Sequence, residues 1–174
     1  MLGPLPTATS ADIDGLIDPA GLETGGARLY DYWREKRGPR KMPCRADLEP
    51  GDLRDLLPDI ALVDVLTAPP HFRYRLAGTR HVAARGGDPT GTAVADSYLG
   101  RDVPGMRERV LGNYRAVVET GRPQFRDLRV VGHDNRGTIL MGGRLVARFS
   151  LFLPLAADGE TVDMILTYTR FATL

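Results

Sequence analysis

The chain has 174 residues, 43% of them hydrophobic and 26% charged, which suffices for one domain with its own core. A formal net charge of +1 excludes a broad electrostatic pull towards nucleic acid, an anionic membrane or an acidic substrate, so any partner must be recognised through local features. Cys44 is the single cysteine, which excludes an intrachain disulfide framework and a cysteine-only metal site and fits a cytoplasmic protein.

In chain order, residues 1–21 (MLGPLPTATSADIDGLIDPAG) mix Pro, Gly, Thr and Asp with isolated apolar side chains and predict a loosely docked lead, with Ile13, Leu16 and Ile17 free to cover an apolar surface. They carry neither the basic start nor the apolar block of a secretory signal. Leu22, Leu29, Tyr30 and Trp33 fall at helical spacings, so an amphipathic helix is expected over 22–37, stopped by Gly38-Pro39. With its exit it forms a segment, 22–41, ahead of a domain over 42–174. A loop and a short helical piece at Asp52–Leu57 follow, ended by Pro58. The run IALVDVL at 60–66 is apolar with little alternation, as in a strand covered on both faces. After Ala68-Pro69-Pro70, Phe72, Tyr74 and Leu76 alternate with Arg73 and Arg75, predicting a strand with one buried and one wet face.

Two glycine breaks come next. Gly78 is expected to free the backbone as it leaves the strand, with Thr79 capping a short helix over 80–85. Gly86 to Gly91 (GGDPTG) then ends that helix. The stretch is not a phosphate loop: no Lys follows Gly91, a helix precedes it, and Pro89 removes an N–H. Met106, Val110, Leu111, Tyr114, Val117 and Val118 share one face of a helix over 104–120, with Asp102 before its start and Gly121 after its end. The period then changes from 3.6 to 2. Strands are expected at 125–131, 144–155 and 161–171, joined by turns at 133–137 and 156–160. Two strands, a helical crossing and three strands make an α+β domain, a five-stranded antiparallel sheet with helices on one face.

Several stretches along this order carry a resemblance. LYDYWREKRG (29–38), MPCRADLEPGDLRDLLPDIALVDV (42–65), FRYRLAGT (72–79), GDPTG (87–91) and LPLAADGETVDMIL (153–166) together resemble a bacterial PAS-domain family of small single-domain proteins with a tyrosine-tryptophan helix. The resemblance implies a PAS fold, with sheet order 2-1-5-4-3 and helices over one face enclosing a cavity. It also implies a sensory or regulatory role, through a small-molecule ligand, a protein partner or a homodimer, without catalysis. A dimerisation adaptor with a filled core and a small enzyme using the same cavity are the alternatives.

The ligand-cavity candidates are Tyr74, Leu76, His81, Met106, Tyr114, Phe125, Phe149 and Tyr168; the sequence does not divide lining from packing among them. His81, on the short helix, is the one candidate for an axial haem ligand, although no motif specific for haem or flavin is present and the cofactor stays open. Cys44 precedes the first core strand and does not match the position of a flavin-adduct cysteine. Leu29, Tyr30 and Trp33 are either the contact to a partner or packed on the domain's own sheet. The basic run REKRGPRKMPCR at 34–45 lacks interleaved aromatics and predicts a solvated helix exit rather than a nucleic-acid site. His71 and His133 are expected in solvated turns, and the spacing of Asp12, Asp14 and Asp18 lacks the glycine and glutamate of a cation loop.

Overall fold

The computed structural model describes residues 24–97, 105–127 and 145–173. Ile60–Val65 (β1), Phe72–Ala77 (β2), Gln124–Asp127 (β3), Leu145–Leu155 (β4) and Met164–Thr173 (β5) form one antiparallel sheet in the order β2-β1-β5-β4-β3. The α-helices are Thr24–Arg37 (α1), Thr79–Arg85 (α2), Val94–Ser97 (α3) and Met106–Thr120 (α4). The expected short helix around 52–57 is instead two single 3₁₀ turns, Pro50–Leu53 and Leu57–Asp59, because prolines at 50 and 58 start turns that they also prevent from lengthening. The lead, Asp102, His133 and the 133–137 turn lie outside the described residues.

β1 lies between β2 and β5 and is buried from Ile60 to Asp64, which explains its unalternating apolar run. Its two faces are covered by different parts of the chain. Helices α2 to α4, inserted between β2 and β3, gather on the face of Val63, Tyr74, Phe152 and Phe171. On the opposite face, α1 packs on β4 and β5: a Cβ added to Gly25 would overlap the Tyr168 hydroxyl. Leu29, Tyr30 and Trp33 are buried there, Tyr30 and Trp33 stack with centroids 6.0 Å apart, and Trp33 Nε1–H donates to the Pro154 carbonyl at 2.9 Å. The aromatic side chains of α1 therefore complete the core of the domain.

The alternation expected of β2 fails at its end. Leu62 pairs with Leu76 but Val63 pairs with Tyr74, so Arg75 is an extra residue, a β-bulge. The bulge turns Leu76 onto the face opposite Tyr74, where it stays 45% exposed. Arg73 and Arg75 both reach Asp64, at 3.3 and 2.6 Å, and hold the distorted pair together.

The glycine breaks also resolve into separate causes. Gly78, not Thr79, is the N-cap residue, and its φ of −67° needs no glycine. Close approach needs it: a Cβ at Gly78 would overlap the Leu57 carbonyl oxygen and lie 2.7 Å from the Pro58 carbonyl carbon. Gly78→Ala is expected to destabilise the fold by about 3 kcal/mol, since backbone rather than a flexible side chain must yield. Denaturant unfolding checks this, and a loss below about 1 kcal/mol would contradict the close-approach reading. Gly86, at φ 73°, ends α2 in the left-handed conformation as expected. The GDPTG turn then runs along the outer edge of β2. Gly91 N–H donates to the Tyr74 carbonyl at 2.7 Å, Tyr74 N–H donates to the Thr92 carbonyl at 3.0 Å, and the edge strand is closed to further pairing.

Candidate functional site

The described part of the helical face is packed with rings. Tyr114 on α4 meets Phe72 with centroids 5.3 Å apart and Phe152 edge-on at 5.2 Å. Leu111 and Val117 are buried on the same helix face, while Val118, expected with them, is 38% exposed at its margin.

A polar chain continues this layer towards β5. Arg85 Nη2 donates to the Tyr74 hydroxyl at 2.8 Å, and its guanidinium lies over the Tyr74 ring. Arg85 Nη1 donates to His81 Nδ1 at 3.0 Å, and His81 Nε2–H donates to the Asp59 carbonyl at 2.9 Å. That pattern defines the neutral Nε2–H tautomer of His81. Burial foremost, and the adjacent Arg85 charge, push its pKa down to about 3. With both nitrogens engaged and the ring edge-on against Phe171 at 5.1 Å, His81 has no lone pair to offer a haem iron. It is a buried network residue.

The other face holds an open groove of about 400 Å³ beside the Leu76 bulge. Leu62 and Leu166, register partners on β1 and β5, form its floor, with Leu76 from β2 at one side. Leu48, Leu53 and Leu57 form the opposite wall, from a segment of three 3₁₀ turns over residues 45–59, hereafter the 3₁₀ segment. Arg45 and Arg54, both exposed, complete the lining. Apolar walls with a few convergent polar groups are the usual chemistry of small-molecule sites, and the volume lies in their range.

A second recess of about 380 Å³ opens next to it, lined by Arg28, Asp55, Asp59, Arg80 and Arg170 around Tyr168. Its charges are matched by neighbours: Arg28 bonds to Asp55 with both terminal nitrogens, and Arg80 bonds to Asp59. Asp59 is buried, which raises its carboxyl pKa despite the opposing pull of Arg80 and Arg170. Among the described residues, no group of three or more His, Cys, Asp or Glu could hold a metal ion, and no helix is long and apolar enough to cross a membrane.

Against this geometry, a PAS-domain family model matches residues 23–168. The chain belongs to the PAS-domain family. A search of curated proteins and a search of solved structures give no match. The family is one of sensory and regulatory domains, and the sheet order and the helical crossing of this chain are those expected for it.

The eight cavity candidates of this PAS domain do not line one space. Tyr74, His81 and Tyr114 belong to the helical face, whereas Leu76, Phe125, Phe149 and Tyr168 belong to the face under α1. The side chain of Met106 lies outside the described residues. Only Leu76 lines the 400 Å³ groove, and Tyr168 lines the polar recess. The leucines of the 3₁₀ segment and Arg54 carry no signal of a site in the sequence, because the segment precedes the sheet and only the folded return of the chain brings it against β1. Part of the basic run at 34–45 is neutralised locally: Lys36 meets Asp52 at 3.9 Å, Arg40 meets Asp47 at 2.9 Å, and Lys41 pairs with Glu160.

Proposed function

We propose that the chain is a cytoplasmic PAS-type regulatory domain that binds a small molecule in the groove beside Leu76 and signals through protein contacts, without catalysing a reaction. The observation that carries this reading is that one groove of about 400 Å³ is walled by both the sheet and the 3₁₀ segment that holds α1. An occupant bridges Leu62 and Leu166 to Leu53 and Leu57, so binding stiffens the segment against the sheet. That segment is tied to α1: Tyr32 Oη accepts from Glu49 N–H at 2.8 Å and bonds to Asp52, and Arg28 bonds to Asp55. Occupancy is thereby coupled to how firmly α1 is docked, and the exposed side of α1 is the surface offered to a partner protein. Packing of the described part of the helical face by Tyr114, Phe72 and Phe152 supports the assignment of the ligand to the other face.

The test is native mass spectrometry of freshly purified protein together with thermal unfolding against a panel of metabolites and lipids. At least one ligand is expected to raise the melting temperature of the wild type. Leu76→Trp, which occupies the mouth of the groove from an exposed position, is expected to abolish that rise. Absence of both a retained mass and any thermal shift would overturn the ligand-binding reading.

A further inference from the structure

We propose that the groove binds a medium-chain aliphatic carboxylate, its chain along Leu62, Leu76 and Leu166 and its headgroup on Arg54 and Arg45. The proposal rests on the groove being the ligand site and adds the chemical class of the ligand. Three observations carry it. First, the walls are aliphatic: the leucines named here, with Leu53 and Ile60, leave no aromatic ring in the lining on which a planar ligand would stack. Second, a volume of about 400 Å³ lies at the lower end of the range of small-molecule sites and suits a short aliphatic chain, for which decanoate is the probe. Third, the charge is one-sided. Arg45 and Arg54 line the groove and no Asp or Glu does.

Among the described residues neither arginine pairs with a carboxylate, in contrast to Arg28 and Arg80 in the adjoining recess. Arg45 Nη1 donates to the Leu48 carbonyl at 3.1 Å, which anchors its guanidinium at the groove while its other donors remain available. A planar fork of donors at the end of an aliphatic trough suits a carboxylate, and an arginine stem can lie along the chain it serves.

Calorimetric titration of the full chain with octanoate, decanoate, decanol and decyltrimethylammonium, all below micelle-forming concentrations, tests the proposal. Decanoate is expected to bind about 10- to 100-fold more tightly than decanol, the contribution of a charge-assisted hydrogen bond. Each additional methylene is expected to strengthen binding about fourfold, so decanoate should exceed octanoate by about 15-fold. The double variant Arg45→Ala/Arg54→Ala is expected to bring decanoate to within about twofold of decanol, both measured on that variant. Equal binding of decanoate and decanol by the wild type overturns the carboxylate assignment and leaves the ligand groove standing. Preference for the ammonium, or discrimination that survives the double variant, also overturns it. If no ligand binds, and sedimentation shows a dimer that Leu76→Asp dissociates, the occupant is a second copy of the chain and the proposal falls.

Discussion

Replacing Trp33 by alanine is expected to lower the unfolding free energy by about 3–5 kcal/mol, with no requirement for a partner chain. The indole is 2% exposed, stacks on Tyr30 and lies under the Arg37 guanidinium. Truncation removes a large apolar volume and leaves the Pro154 carbonyl without its indole donor. Trp33→Phe should retain most of the packing and lose about 1–3 kcal/mol, mainly the hydrogen bond and residual volume. Urea unfolding of both variants, with sedimentation in native buffer, separates core from interface. A Trp33→Ala variant as stable as the wild type but altered in mass would identify Trp33 as a partner contact instead.

The second large effect is on acid stability. His81 titrates near 6.5 when unfolded and near 3 when folded, so below pH 6.5 the unfolded chain binds a proton that the folded chain refuses. The stability associated with neutral His81 is therefore complete above pH 6.5 and declines as pH falls, by about 1.4 kcal/mol per unit, reaching about 2 kcal/mol at pH 5. Asp59 acts in the opposite sense at lower pH. Its raised carboxyl pKa lets the folded state take up a proton first, offsetting part of the loss as pH approaches the ordinary carboxylate range. Substitution at His81 separates the two contributions between pH 6.5 and 5. His81→Gln can keep both an acceptor for Arg85 and a donor for the Asp59 carbonyl without titrating. Its stability is expected to be nearly flat across that window, and a slope equal to that of the wild type would show that the acid sensitivity arises elsewhere.

Much of the fold was legible because local pattern and global packing agree. The unalternating β1 run, the change of period after Gly121 and the turn residues at 156–160 each report a local cause that tertiary structure preserves. The site was less legible, for two physical reasons. A bulge is one residue of register, and nothing in FRYRLAGT distinguishes the buried Tyr74 from the outward Leu76. Likewise, the partners of His81 are a backbone carbonyl 22 residues earlier and an arginine one turn later, so its burial could not be read from its neighbours in the chain. Gly78 teaches a similar lesson: its need for glycine comes from the Leu57 and Pro58 carbonyls across a turn, not from its own dihedral angles.

The central claim is that the ligand site lies on the face under α1 and not between the sheet and the helices. Methyl-resolved NMR of the full chain titrated with decanoate tests it most directly. The predicted result is perturbation of the methyl signals of Leu53, Leu62, Leu76 and Leu166, with those of Leu111 and Val117 unmoved. Saturable shifts confined to Leu111 and Val117, with the groove leucines silent, would contradict the claim and return the ligand to the helical face.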